Sequence, residues 1–454
     1  MWGRWGCALL LVLAGLVAAH DTQAADPAGK GPAAFPLAVS GDGSHLVDRD
    51  GLPFLVNGDT AWSLIAELTL EQAEVYLQDR KARGFNALLV NLIEHEFSTN
   101  APANAEGVAP FELPGRFDMP DPAYFAHAHA VLQRARDLGF LVFLAPAYVG
   151  VNGGSQGWWQ EMTEAGPERL AGYAGYLART FGDLDNIVWT HGGDWDVPDK
   201  TLVTAMAEAI DAAQPGALQT VHSNRDTVTA AFWRGAPWLD LDTAYTYGDT
   251  GDKVEEHLAG GFGLPVVLIE SRYENERDAT PRSLRKAAYG AIMAGAAGQV
   301  FGNNPIWHFT RQGLFAAPRD WREELSSPGS VSMTHLREFF EAIPWWTLRS
   351  DAETALCGAP NVLAEVDCAA APDGRLAVVY SPRVQPLHLA PAPLAKVPFC
   401  AHWVDPRSGT SQTAMPPALP GPQGFDLPPP ETADDDEDWL LLLLACEDDP
   451  FAKG

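Results

Sequence analysis

Between residues 40 and 345 the chain alternates short apolar runs with longer stretches in which apolar residues recur every three or four positions. The runs are Pro53–Asn57, Ala87–Ile93, Leu141–Pro146, Ile187–His191, Gln219–His222, Leu241–Tyr245, Val266–Glu270 and Gln299–Gly302. Several are continuously apolar, the pattern of parallel strands buried on both faces. The stretches between them read as amphipathic helices. Thr69 and Gln72 form a capping box ahead of Leu70, Ala73 and Leu77, and Gly84 stops that helix. Other helices carry Val131, Ala135 and Leu138 up to Gly139, and Leu170, Tyr173 and Leu177 up to Gly182. Further ones hold Leu202, Met206 and Ala209; Leu284, Ala288 and Ile292; and Leu336, Phe339, Phe340 and Ile343. The link between the fifth and sixth strands is short, and its helix is poorly marked. Eight strands with helices between them predict an α/β fold, a (β/α)8 TIM barrel over residues 36–346. An open doubly wound sheet would also alternate, but no Gly-rich phosphate fingerprint follows the first strand.

After Pro344-Trp345-Trp346 the period changes. Leu376–Tyr380, Leu387–Leu389, Phe399–Val404 and Trp439–Leu444 read as short strands among Pro- and Gly-rich turns. They predict a small C-terminal all-β sandwich domain over residues 347–448, joined without an obvious linker and therefore packed firmly on the barrel. The acidic run Asp434–Asp438 reads as a solvated loop.

Composition narrows the function classes. A formal net charge of -29 argues against nucleic acid, whose phosphates need a basic surface. Arg4, the apolar run from Cys7 to about Ala19 and the small residues at Ala18-Ala19 and Ala24-Ala25 read as a signal peptide over residues 1–25. The run is short for a membrane span, and no other segment is long enough for one, so a secreted or periplasmic protein is expected. Cys357, Cys368, Cys400 and Cys446 remain after cleavage. An even number in an exported protein is compatible with disulfides in any of three pairings, and the spacing matches no zinc motif.

Barrel enzymes place their active sites at the C-terminal ends of the strands. Read in order, those ends offer Asp59 and Trp62; Asn91 and Glu94; Tyr148; His191 and Asp194; His222; Tyr245; Glu270 with Tyr273; and Trp307. Asp194 closes Ile187-Val188-Trp189-Thr190-His191-Gly192-Gly193-Asp194, and Glu270 closes Pro265-Val266-Val267-Leu268-Ile269-Glu270. Two carboxyl groups meeting at one mouth suit glycoside hydrolysis, in which one protonates the leaving oxygen and the other attacks the sugar or activates water. The surrounding aromatics offer flat apolar faces to a sugar ring, and the amides and imidazoles bond its hydroxyls. A carbohydrate substrate is thus the expected partner, with no cofactor and no metal.

The chain resembles the apiosidase-like glycoside hydrolases, a barrel followed by a small β-sandwich that carries a collagen-binding label. The resemblance rests on Asn57-Gly58-Asp59-Thr60-Ala61-Trp62, Asn186–Asp194, Glu270 with Tyr273-Glu274, and Gly302 with Ile306-Trp307. In the second domain it rests on Trp403-Val404-Asp405-Pro406-Arg407-Ser408-Gly409 and Asp438-Trp439-Leu440-Leu441-Leu442. It implies that Asp194 and Glu270 are the catalytic pair. By analogy with retaining barrel glycosidases, Asp194 is assigned as acid/base and Glu270 as nucleophile. The commonest such barrels carry Asn-Glu where this chain has Gly193-Asp194. Asp is one methylene shorter, and the two glycines permit the closer approach it needs.

Simpler readings stand beside these. Gly-Gly-Asp is ordinary turn chemistry, Glu270 could pair with Arg272 or Arg225, and Glu274 and Glu276 read as solvated loop charges. A metal hydrolase would need clustered His and carboxylate ligands, and Glu94-His95-Glu96 lacks the second His one turn on. A non-catalytic carbohydrate- or matrix-binding barrel would be free to lose either carboxyl. A serine hydrolase would need a Gly-x-Ser-x-Gly elbow, which is missing.

Overall fold

The computed structural model describes residues 33–310, 316–358, 365–430 and 437–449. The expected signal peptide and Asp434 to Asp436 lie outside these residues. Strands β1 (Ala38–Val39), β2 (Leu46–Val47) and β3 (Pro53–Phe54) form a small antiparallel sheet ahead of the barrel. The expected first barrel strand therefore divides: Pro53 belongs to this sheet, and the barrel begins one residue after Leu55.

Eight parallel strands follow: β4 (Val56–Thr60), β5 (Ala87–Asn91), β6 (Leu141–Ala145), β7 (Ile187–Gly192), β8 (Gln219–His222), β9 (Asp242–Tyr245), β10 (Val266–Glu270) and β11 (Gly298–Phe301). Their order, β8-β7-β6-β5-β4-β11-β10-β9, is that of a TIM barrel opened between β8 and β9. Hydroxyls help to close that seam. Thr220 donates to the Leu241 carbonyl at 2.8 Å, and Thr243 donates to the Val221 carbonyl. The helices stand where their signals predict. Thr69 and Gln72 make the capping box of helix Leu70–Ala82, and the poorly marked link holds only Thr229–Phe232.

Side chains alternate along each strand between the barrel interior and the helical layer. Val56 faces inward, while Asn57 reaches out to the carbonyls of Gly84 and Met333. On β5, Ala87 and Leu89 face in, and Leu88 and Val90 face out. This parity puts Asn91 on the inner face at the strand's end.

The C-terminal strands are β12 (Arg349–Ser350), β13 (Asp367–Ala370), β14 (Leu376–Ser381), β15 (Leu387–Leu389), β16 (Phe399–Val404), β17 (Ser411–Ala418), β18 (Phe425–Leu427) and β19 (Trp439–Ala445). Six form one antiparallel sheet, β12-β13-β14-β19-β16-β17, and β15 pairs with β18. Val378, Tyr380, Leu440, Leu442 and Leu444 join the core of the barrel helices, while Ala377, Val379, Leu441 and Leu443 join the other core of this domain. Burial on both faces accounts for the unbroken leucine run of β19. Arg285, on helix Pro281–Met293, grips Asp438 through two bonds of 2.7 Å, and Tyr380 donates to the same carboxylate at 2.8 Å. Asp438 is buried, which corrects its reading as part of a solvated loop. Disulfides join Cys357 to Cys368 and Cys400 to Cys446. No helix of the described residues is long and apolar enough to cross a membrane.

Candidate active site

At the C-terminal ends of the strands lies a cavity of about 510 Å³, large enough for one or two sugar rings, whose lining residues all fall between Trp62 and Trp307. Among the described residues the C-terminal domain contributes none of its walls. A second cavity, of about 520 Å³, lies beside the N-terminal ends of β6 and β7 between Leu141, Ile187 and Gln214. Conserved chemistry in barrels does not sit at that face, and the mouth cavity alone holds the paired carboxyls.

Asp194 arrives through an unusual turn. Gly192, Gly193 and Asp194 have φ values of 78°, 130° and 51°, all in territory that disfavours side chains. A Cβ on Gly193 would lie 2.1 Å from the Tyr148 ring, and one on Gly192 would lie 2.6 Å from the His222 carbonyl oxygen. The two glycines thus let the chain pass under Tyr148 and against β8, and the strained Asp194 is aimed back across the mouth. Tyr148 donates to Asp194 Oδ2 at 2.7 Å, and Asp194 Oδ1 has no hydrogen-bond partner.

Glu270 reaches the mouth by a different device. Val267 and Ile269 face the interior, and Val266 and Leu268 face the helices, so strict alternation would send Glu270 outward. The register against β9 slips by one residue between Leu268 and Glu270. Such a bulge re-aims the next side chain. Glu270 accepts from the Tyr247 hydroxyl at 3.0 Å and meets His222 Nε2 at 3.1 Å.

His222 stands between the two carboxyls. Its Nδ1 accepts the Asp194 backbone N–H at 3.3 Å, which leaves the proton on Nε2 to donate to Glu270. Asp194, His222 and Glu270 each present an atom within 4.8 Å of the other two. Among the described residues this is the one such cluster able to share a metal ion, yet both imidazole nitrogens are already committed within the protein. Burial pushes the Glu270 carboxyl up, and the Asp194 charge adds to the push; the His222 and Tyr247 donors oppose both. For His222 burial pulls downward most strongly, but the bond to Glu270 and the two negative charges outweigh it and the net shift is upward. Burial, with Asp194 beside it, holds the Tyr148 hydroxyl well above its ordinary range, so it stays a donor.

Of the other residues expected at the mouth, Trp62, Asn91, Tyr148, Tyr245, Tyr273 and Trp307 line the cavity. Trp62 donates to the Tyr273 hydroxyl at 3.2 Å. Glu94 lies behind Asn91, accepting from Asn91 Nδ2 and Ser63 Oγ. Burial pushes its carboxyl up to about 7.

Asp59 and His191 do not reach the cavity, which corrects their expected place. Both fall on the outward parity of their strands. Asp59 accepts from Tyr76 at 2.7 Å and faces Arg80 at 3.4 Å, under helix Leu70–Ala82. His191 bonds Gln219 at 2.9 Å, and burial pulls its pKa down to about 4.

Two loop glutamates also differ from expectation. Glu276 lines the cavity and accepts the Trp307 indole N–H at 2.9 Å. Glu274 is buried and holds Asn303 and the Gly329 N–H. Arg272 bonds the Tyr247 carbonyl and Asp278 rather than Glu270. Tyr247, Phe97, Gln156, Arg225 and Arg277 also line the cavity, and only Tyr247 stood near a strand end where sequence could single it out.

Residues 40–347 match the family model described as "Apiosidase-like, catalytic domain", and residues 358–444 match "Putative collagen-binding domain of a collagenase". A solved structure described as a glycoside hydrolase aligns with a TM-score of 0.79 at 21% identity, covering 93% of this chain and 99% of that one. A glycoside hydrolase family 5 structure from Bacteroides vulgatus ATCC 8482 aligns with a TM-score of 0.79 at 20% identity, covering 93% of this chain and 95% of that one. At such identities these likenesses speak for the fold. Curated protein sequences give no significant match. The barrel match spans well over half of the chain, which therefore belongs to the apiosidase-like family and is a glycoside hydrolase.

Proposed function

We propose that this protein is an exported, retaining glycoside hydrolase of plant-type polysaccharides or oligosaccharides, with Asp194 as acid/base and Glu270 as nucleophile. The observation that carries the reading is the approach of the two carboxyls, which present oxygens within 4.8 Å of each other. Retaining enzymes hold the pair about 5–5.5 Å apart, and inverting enzymes leave about 6.5–9.5 Å for a water. Asp194 protonates the glycosidic oxygen while Glu270 attacks the anomeric carbon, so that the C–O bond breaks as the glycosyl ester forms. Asp194 then takes a proton from water, which displaces Glu270. The donors support these roles. Glu270 has one on each oxygen, as a carboxylate nucleophile needs, whereas Asp194 keeps an oxygen free to carry the proton. When Asp194 is protonated its push on Glu270 disappears, and the two donors remain.

Arg225 and Arg277 line the cavity beside Asp194, Asp226, Glu270 and Glu276 and offer donors to sugar hydroxyls. The family's name adds apiose-bearing side chains as the sugar to try first. Two disulfides favour an oxidising compartment. The test is a screen of aryl glycosides and pectic oligosaccharides against wild type, Asp194→Asn and Glu270→Gln, with product anomers followed by NMR. Turnover by wild type alone, with the anomer retained, is expected. Equal activity in all three proteins would remove the pair, and an inverted product would remove the retaining mechanism.

A further inference from the structure

The mouth contains a buried polar group that the two-carboxyl mechanism does not use. Asn91 ends β5 on the inner face, is 1% exposed and lines the cavity. Its Nδ2 donates to Glu94 Oε1 at 3.1 Å, and its Oδ1 has no hydrogen-bond partner. A buried acceptor left unmatched is costly, and at the wall of a substrate cavity a ligand hydroxyl supplies the missing donor. The orientation is not arbitrary. Turning the amide over would set Oδ1 against an oxygen that already accepts from Ser63 Oγ at 2.8 Å. Backbone N–H groups of Phe97 and His95 also point at the Glu94 carboxyl. Everything that touches Glu94 is a donor, and Asn91 can join that set only through its NH2.

We propose that Asn91 determines specificity by accepting a free hydroxyl of the sugar through Oδ1, and that Glu94 is the positioning residue that holds the amide in this sense. The proposal rests on the glycosidase reading above and adds a restriction to it. The sugar must offer a hydroxyl hydrogen on the β5 side of the cavity, so a substrate deoxygenated, O-methylated or O-acetylated at that position is rejected. Where Glu94 is ionised, the bond from Nδ2 to it polarises the amide and strengthens Oδ1 as an acceptor. Glu94 does not line the cavity and acts on the sugar through Asn91 alone.

The test compares the 4-nitrophenyl glycoside turned over fastest with its monodeoxy and mono-O-methyl analogues. Wild type should lose about 10- to 100-fold in kcat/KM for one deoxy position. Asn91→Ala should lose a similar factor on the parent glycoside and less than about 3-fold more on that deoxy analogue, the signature of direct contact. Glu94→Gln offers an NH2 to Asn91 and turns its amide over. It should therefore relax the discrimination against the O-methyl analogue, a selectivity that a merely structural role would not move. The double variant Asn91→Asp with Glu94→Gln restores an acceptor towards the sugar and a donor behind it, and should recover the wild-type preference that Asn91→Asp alone loses. If the Asn91→Ala and deoxy effects multiply independently at every position, or the double variant is no better than the singles, the proposal is wrong while the glycosidase stands. If wild type hydrolyses no glycoside, the glycosidase reading falls and takes the proposal with it.

Discussion

Asp59 and Glu270 make an instructive pair. Each is the carboxyl at the C-terminal end of a barrel strand, each is almost wholly buried, and in each burial drives the pKa upward, to about 6 for Asp59. Asp59 stands on the outward parity of β4, where Arg80 and Tyr76 close over it. Glu270 is turned by a bulge into a cavity, where it faces a second carboxyl across His222. Burial and a shifted acidity therefore do not distinguish a structural carboxyl from a reacting one. The side of the sheet does, together with whether a cavity lies in front of the carboxyl.

The sharpest way to break this comparison is by activity. Glu270→Gln should lower kcat/KM by about 10³-fold or more, the scale on which removal of a reacting group is felt. Asp59→Asn, which keeps the shape and the bond to Tyr76, should stay within about 2-fold of wild type. A large loss in Asp59→Asn with the protein still folded would put Asp59 back at the mouth.

Stability should reverse the ranking. Arg80 is fully buried and holds Asp59, Asp79, Ser330 and the Leu325 carbonyl. Arg80→Ala leaves both a cavity and a buried acid without its counter-charge, and should cost about 3–5 kcal/mol in urea unfolding. Glu270→Gln removes a carboxylate that burial disfavours, and its unfolding midpoint should not fall. A clear destabilisation there would make Glu270 structural.

A smaller effect tests the partner on the Asp194 side. Tyr148→Phe removes one bond to Asp194 and leaves the ring that packs on Gly193, so kcat/KM should drop about 10-fold with little change in stability. A drop as large as that of Asp194→Asn would instead assign Tyr148 a proton of its own to transfer.

The barrel was legible because its elements obey simple periods: seven of its eight strands lie where the apolar runs stand, and Thr69 caps the helix that Gln72 completes. β17 escaped because Ser411–Ala418 has no strongly apolar run, carries two prolines and forms the exposed edge of its sheet, where neither burial nor a full ladder constrains the residues. At the site, the strand ends were readable but their faces only in part. Counting alternate residues back from Asp194 would have turned His191 outward, and the same count turns Asp59 outward. It would also have turned Glu270 outward, wrongly, because a bulge depends on pairing with β9 and leaves no mark in Leu268-Ile269-Glu270. Glu276 and Arg277 belong to the cavity through loop geometry, which a single sequence does not encode as a period.

The mildest prediction concerns pH, and both carboxyls of the comparison contribute to it. Burial raises Asp59 and Asp240 to about 6, and Glu94, Glu276 and Asp367 to about 7. Glu270 is raised as well. A carboxyl held above its unfolded value binds its proton more tightly when folded. Its contribution is therefore greatest below the unfolded value, near pH 4, and is lost as pH rises through 6 to 7. Asp42, Glu74 and Asp118 are lowered to about 2, chiefly by side-chain hydrogen bonds. What they contribute disappears only as pH falls below about 4, outside this window. From pH 8 down to pH 5 the buried carboxyls thus act in one direction and partial neutralisation of the -29 net charge acts with them, while His45, His191 and His308, which burial holds below the ordinary histidine range, oppose them. Calorimetry should find the melting temperature at pH 5 at least about 3 °C above that at pH 8. Asp59→Asn and Glu270→Gln should each flatten the slope, because the proton that each takes up belongs to the fold whichever way its side chain points. A melting temperature that falls with pH across this window would mean that the buried carboxyls are ionised at less cost than their surroundings imply.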